Sequence, residues 1–221
     1  MHLVLKDTEV VKLLIDVDLN VNDRTHDFYT PLGLACFHGH YDIVKYFLSE
    51  NGKTLDNSVD ITIKIQKGWS VLHAACVNGN IEIVKELIDV GCNLNETNDD
   101  RVTPLYLASC LNGHTEVVKL LIDVGLKVND TTDKGYTPLY LACQNGHYDI
   151  VKYLLDLNGG ILNSLVDTTI KDSHGHLAFY TAKTNKHTDV VRLLTDAGMN
   201  EAEQRSTIHA IHAIKDYCFI Q

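Results

Sequence analysis

Residues 137–155 read TPLYLACQNGHYDIVKYLL and gather Cys143, His147 and Asp149 into one short stretch. A thiol, an imidazole and a carboxylate are the parts of a cysteine nucleophile, in which the histidine takes the proton and the acid orients the ring. That chemistry needs a thiolate in an accessible, electropositive setting. The chain repeats the whole set, however, because residues 30–48 read TPLGLACFHGHYDIVKYFL and carry Cys36, His40 and Asp42 at the same spacing. A tandem copy points to scaffold rather than to a catalytic centre.

The six cysteines lead the same way. Cys36, Cys76 and Cys143 fall at one equivalent position inside the apolar stretches LAC and AAC, which fits small buried thiols in a reducing compartment better than bridges. Metal chemistry finds three close histidine pairs, His38 with His40, His174 with His176 and His209 with His212, and no third ligand at an obvious spacing. No glycine-rich phosphate loop, G-x-S-x-G or H-E-x-x-H occurs, and Gly159-Gly160 follows a helical pattern rather than a strand. Neither an enzyme nor a cofactor is expected.

Composition sets the class. With 45% hydrophobic and 22% charged residues the chain is an ordinary folded protein with a sizeable core. A net charge of -10 repels a phosphate backbone on average, so nucleic acid is not the expected partner. No apolar run approaches the roughly 20 residues that cross a bilayer, and the start MHLVLKDTEVVKLL lacks a basic leader. The expectation is a soluble, cytoplasmic protein, or one of the host cytoplasm or nucleus if it comes from a parasite, a virus or a secreted effector. It is expected to be monomeric on its own.

The elements that must position these residues recur. A block of T-P-L-x-x-A, a short gap, G-H, two polar residues and I/V-V-x-x-L-L returns around Pro31, Val71, Pro104, Pro138 and, more degenerately, Ala178. Pro138 suits the first turn of a helix, where its missing N–H removes no hydrogen bond. Leu139, Ala142 and Cys143 then share one apolar face, and Gly146 ends the helix at a position tolerant of positive φ. A second helix follows with Ile150, Val151, Leu154 and Leu155 on one side and Asp149, Lys152 and Asp156 on the other. A lone copy cannot bury that apolar side, so stacked neighbours must bury it.

Thr103-Pro104-Leu105, Thr137-Pro138-Leu139, Gly113-His114, Gly146-His147, the Val-Val-Lys-Leu-Leu of 117–121 and the Gly91-x-x-x-Asn95 element together resemble the ankyrin repeat over roughly residues 1–200. The resemblance implies an all-α solenoid of helix-turn-helix pairs joined by β-hairpin fingers. The repeats fall at about 1–22 (partial), 23–61, 62–95, 96–129, 130–168 and 169–201, with residues 202–221 forming a capping helix or a tail. Both an original terminal unit and a fragment of a longer chain account for the abrupt start.

A longer period overlies the repeat. Thr8–Leu48 aligns without a gap on Thr115–Leu155, and NGKTLDNSVDITIK (51–64) corresponds to NGGILNSLVDTTIK (158–171). The chain reads as a duplicated three-repeat block, with seven-residue insertions around Gly52–Asp60 and Gly159–Asp167. Repeat 4 carries one further residue in SCLNGH, which pushes Cys110 and Leu111 outward or widens the turn.

The aligned copies differ at 18, 20, 24, 26, 27, 28, 33, 37, 38 and 47 of the first. By the family resemblance, 26–28 form a finger tip while Gly33, Phe37 and His38 lie on the exposed side of the first helix. Fingers and the concave first-helix face are the surfaces with which ankyrin proteins usually hold other proteins. The residues preceding each T-P-L or its equivalent are Tyr29, Trp69, Val102, Tyr136 and His176, and Tyr29, Trp69 and Tyr136 would form an aromatic ridge at the finger bases. The predicted partner site therefore comprises Phe28, Tyr29, Phe37 and His38, then Gln66, Lys67, Trp69, Val77 and Asn78. Asp99, Asp100 and Arg101 continue it, followed by Asp133, Lys134, Tyr136, Gln144 and Asn145.

Two other readings stay open. The ridge serves repeat-to-repeat packing if the chain is only a structural spacer in a longer protein. The family resemblance also makes Asn95 and Asn129 candidates for an asparaginyl hydroxylase, against a role in satisfying backbone groups.

Overall fold

The computed structural model describes residues 20–49, 58–110, 113–157 and 166–199. Residues 1–19 of the partial first repeat, most of both insertions, Leu111 and the C-terminal segment with His209 and His212 lie outside the described residues, as does the side chain of Cys110. Ten α-helices, one 3-10 turn at Gln66–Gly68 and no strand occur among the described residues: α1 Pro31–His38, α2 Tyr41–Leu48, α3 Val71–Asn78, α4 Ile81–Asp89, α5 Pro104–Cys110, α6 Thr115–Asp123, α7 Pro138–Asn145, α8 Tyr148–Asp156, α9 Ala178–Thr184 and α10 Thr188–Asp196. The chain divides into two compact units, Met1–Ala108 and Ser109–Gln221, within α5. An all-α repeat fold is thereby established.

Local chemistry starts each first helix. Thr30 accepts the Gly33 N–H at 3.1 Å, Thr103 that of Tyr106 at 3.2 Å and Thr137 that of Tyr140 at 3.1 Å. Each hydroxyl satisfies one of the amides that a helix leaves without a partner. Before α3 the cap is reciprocal: Ser70 Oγ accepts the His73 N–H, while His73 Nδ1 accepts the Ser70 N–H at 3.2 Å. Leu177 heads α9 with no side-chain cap, a departure that fits its degenerate T-P-L segment.

First helices end at Gly39, Gly79 and Gly146, all left-handed, with φ of 74°, 82° and 74°. A Cβ on Gly39 would meet the Asn78 amide at 2.5 Å, and one on Gly146 would collide with the His187 ring. Glycine there serves both the turn and the close approach of the next repeat. At the corresponding corner after α9, Lys186 takes a φ of 64° instead.

Second helices bury a narrow i, i+1, i+4 stripe: Ile43, Val44 and Phe47 in α2, Ile83, Val84 and Leu87 in α4, and Ile150, Val151 and Leu154 in α8. Asp149, Lys152 and Asp156 face solvent, and Leu155 is only half-buried. Within the first unit α1 packs on α3 and α2 on α4; within the second α7 packs on α9 and α8 on α10. Each fully buried aliphatic side chain contributes about 1.5–3 kcal/mol of transfer free energy, gained only through these neighbours.

Candidate functional site

The fingers between repeats are tight loops with no strand ladder among the described residues. Each closes on one backbone bond across its base: Thr25 N–H to Tyr29 O at 2.9 Å, Ile65 to Trp69 at 2.8 Å, Asn98 to Val102 at 3.1 Å, Thr132 to Tyr136 at 3.2 Å and Asp172 to His176 at 3.0 Å. A three-residue hairpin loop of this kind ends on a left-handed residue. That place is held by Phe28, Gly68, Arg101, Gly135 and Gly175, with φ between 58° and 81°. Successive fingers are linked inside each unit, Asp99 N–H to Lys67 O at 3.4 Å in the first and Ser173 N–H to Lys134 O at 2.9 Å in the second.

In the first unit the finger tips are the exposed part. Phe28 is 57% exposed, and Gln66, Lys67, Asp99, Asp100 and Arg101 are exposed as well. Tyr29 is half-buried and meets Phe37 edge to face with ring centroids 6.1 Å apart; Phe37 meets the exposed His38 at 5.3 Å. Trp69, also half-buried, stacks on the buried His73 at 6.4 Å. His73 Nε2 donates to Val102 O at 2.9 Å, and burial holds its pKa below the ordinary histidine value. Val77 and Asn78 are half-buried, and the Asn78 amide donates to Phe37 O at 3.3 Å, so that side chain already caps α1.

In the second unit Asp133, Lys134 and Asn145 are exposed, while Tyr136 and Gln144 are half-buried. Tyr136 stacks on Tyr140 at 4.8 Å, and His176 on Tyr180 at 4.4 Å. The Gln144 carbonyl accepts from His187 Nε2 at 2.9 Å and from the Asn185 amide at 3.0 Å. The residue after the helix-ending corner, His187, thus supports backbone groups of the preceding repeat.

Asp172 was not singled out in the sequence, and it organises the last finger. Its Oδ1 accepts the His174 and His176 N–H groups at 2.9 and 2.7 Å, and its Oδ2 accepts the Tyr140 hydroxyl at 2.9 Å. Burial alone would push its pKa up, but these donors and the His176 ring hold it below the ordinary carboxylate value. The same burial and the Asp172 carboxylate push the Tyr140 phenol up. The signal was present in alignment, since Asp172 takes the place of Asn98 and Thr132, which accept finger amides in the same way.

One expectation fails at this position. The family resemblance puts Gly33 on the exposed side of the first helix, yet it is buried, and a Cβ there would come within 2.9 Å of Ile65 Cγ2. Gly33 and Ile65 are the duplicated-block counterparts of Tyr140 and Asp172. A large phenol over a small carboxylate in one copy is replaced by no side chain beneath a large aliphatic one in the other.

The thiols are core. Cys36, Cys76 and Cys143 have no exposed surface, and burial pushes each thiol well above its ordinary pKa. Cys92 is half-buried and pushed up to about 11, again by burial and then by Glu96. Asp149 is exposed, and the His147 ring covers Gly113. The arrangement supplies no accessible thiolate at Cys143. His38 with His40, and His174 with His176, each hold ring centroids 6.0 Å apart; Asp172 Oδ2 lies 3.4 Å from His176 Nδ1, and no group of three or more His, Cys, Asp or Glu among the described residues could hold a metal ion. No helix among those residues is long and apolar enough to cross a membrane.

Asparagine at the end of the G-x-x-x-N element does structural work. Asn22 Oδ1 accepts the Asp60 N–H at 2.8 Å and its Nδ2 donates to Ser58 O at 2.8 Å; Asn129 Oδ1 accepts the Asp167 N–H at 2.8 Å. Asp60 and Asp167 in turn hold Thr62 and Thr169 through the same pair of bonds, which keeps both carboxyls below their usual pKa. The duplication is legible down to single hydrogen bonds. Asn95 is exposed, and its N–H goes to Asn93 Oδ1 at 3.1 Å.

Comparison with known proteins agrees with this geometry. Residues 53–132 and 72–163 match the family model for ankyrin repeats (3 copies), and residues 1–48 match that for ankyrin repeats (many copies). The chain is similar to alpha-latrocrustotoxin-Lt1a of Latrodectus tredecimguttatus, 33% identical over 35% of the chain and 5% of the toxin. It is also similar to the ankyrin repeat domain-containing protein SAT10 of Stachybotrys chartarum, 32% identical over 45% of the chain and 5% of that protein. Against ankyrin repeat and SOCS box protein 3 of Bos taurus it is 30% identical over 45% of the chain and 25% of the relative. The chain matches no more than about a quarter of the length of any of the three.

Proposed function

The chain belongs to the ankyrin-repeat family, and from that premise we propose that it is a non-catalytic scaffold holding another protein on its fingers and the adjoining first-helix faces. The supporting observation is where the two halves of the duplication diverge. Of the described differing positions, 20, 24, 26, 27, 28 and 38 are exposed and 37 is half-buried; only Gly33 and Phe47 are buried. A core kept nearly constant beneath varied finger tips fits a recognition surface. Aromatic residues at the finger bases add area that costs little side-chain entropy to order.

The chain works by contact geometry and not by bond chemistry, its conspicuous thiols being buried core. Its four described free cysteines support a reducing, cytoplasmic setting. A second reading, a structural spacer, is favoured by one observation, the stacking of Trp69 on His73.

Affinity capture from extract with the intact chain separates the two. Native protein is compared with a Tyr29→Ala, Trp69→Ala, Tyr136→Ala variant whose helicity and melting are checked first. A partner held by the native chain and lost from a folded variant supports the reading. Equal capture by both moves recognition off the ridge, and no specific partner supports the spacer.

A further inference from the structure

The two copies of the block differ most tellingly around Tyr29. Passing from the second copy to the first, Gly135 becomes Phe28, Gln144 becomes Phe37 and Asn145 becomes His38, with Tyr136 kept as Tyr29. Three changes to rings thus fall on one finger and one helix end. Phe37 and His38 gather with Tyr29, and Phe28 precedes Tyr29 in the chain: Tyr29 lies 6.1 Å from Phe37 at an interplanar angle of 60°, and Phe37 lies 5.3 Å from His38 at 89°.

Packing does not account for Phe28. Phe28 is 57% exposed and held at a φ of 64°, where glycine stands in three of the other four fingers. A bulky residue in that region is strained, and such strain persists at functional places. Trp69, Tyr136 and His176 are each covered by a ring four residues on, His73, Tyr140 and Tyr180. Tyr29 has Gly33 at that place, so no ring four residues on covers it.

Resting on the protein-binding reading above, we infer that Phe28, Tyr29 and Phe37 form a recognition site for a basic side chain, arginine or lysine, on an extended segment of the partner protein. Ring faces carry the negative end of the aromatic quadrupole and attract a cation, the more so once water is displaced. The finger itself adds two exposed carboxylates, Asp23 and Asp27, against one exposed guanidinium, Arg24. The net charge of -10 steers a basic segment toward the chain.

The test is a selection of random 12-residue peptides displayed on phage against the 221-residue chain. Fluorescence anisotropy of the recovered peptides follows, on native protein and on the exchange variant Phe28→Gly, Phe37→Gln, His38→Asn. That variant carries residues the second copy already tolerates, and its melting is checked first. The inference expects recovered peptides rich in arginine or lysine, with affinity falling as salt rises. It expects at least about tenfold weaker binding by the exchange variant, and a similar loss when the peptide arginine is replaced by glutamine. Acidic or purely apolar peptides, peptides that bind both proteins alike, or no recovered peptide at all would overturn it. If the cellular partner is captured by the exchange variant but lost from Tyr29→Ala, Trp69→Ala, Tyr136→Ala, the scaffold reading stands and this inference alone falls.

Discussion

Lys186→Gly should make the last described repeat more stable, although it deletes a whole side chain. Lys186 occupies the corner at which α1, α3 and α7 end on glycine, and it is exposed at a φ of 64°. An L-residue in the left-handed region costs about 1–2 kcal/mol. Glycine removes that strain but frees the unfolded chain, which returns about 0.4–1 kcal/mol. The net gain is about 0.5–1 kcal/mol, or about two- to fivefold slower local opening. Native-state hydrogen exchange reads it at the His187 and Val191 amides, which donate across this corner to Ala182 O at 3.0 Å and His187 O at 2.9 Å. The converse, Gly146→Ala, should cost about 1–3 kcal/mol, because its Cβ drives into the His187 ring at a φ of 74°. Faster exchange in Lys186→Gly, or an unaffected Gly146→Ala, would refute the reasoning that this corner is set by backbone strain.

The folded chain should leave Cys36, Cys76 and Cys143 unmodified by a small thiol reagent at neutral pH, with Cys92 the first of these four to react; rapid alkylation of Cys143 would contradict its place in the core. Stability should decline as pH falls from about 6.5, because His73 is held neutral by burial while the unfolded chain takes up the proton first; it is fully present above that pH. His73→Gln should be less stable at pH 7 and flatter between pH 7 and 5, and an equally steep pH dependence in denaturant titrations would assign the effect elsewhere. Gly33→Tyr alone should destabilise the first unit by about 1–3 kcal/mol through overpacking against Ile65. Adding Ile65→Asp should restore part of the loss, and strict additivity in urea unfolding would show that the two positions do not compensate.

Much of this was legible in the sequence because each repeat states it redundantly. Thr-Pro-Leu carries an N-cap and a first-turn proline, the glycine marks a left-handed corner, and the I/V-V-x-x-L stripe has helical spacing. The buried place of Cys143 followed from its recurrence as Cys36 and Cys76. The Gly33 error arose where a residue without a side chain gives no burial signal of its own; its environment is decided by Ile65, a residue of the next repeat. Asp172 was missed for a similar reason, since its partner Tyr140 becomes a neighbour only through the stacking of one repeat on the next. Asn78 shows the limit for surface residues: its position named it as a contact, while its amide is engaged with Phe37 O.

The central claim, recognition through fingers and first-helix faces, is tested most directly by hydrogen exchange of the chain with and without its captured partner. The account predicts slowed exchange in the finger segments 26–29, 66–69, 99–102 and 133–136, with the second-helix segments 41–48, 81–89 and 148–156 unchanged. Protection confined to those second helices would contradict it.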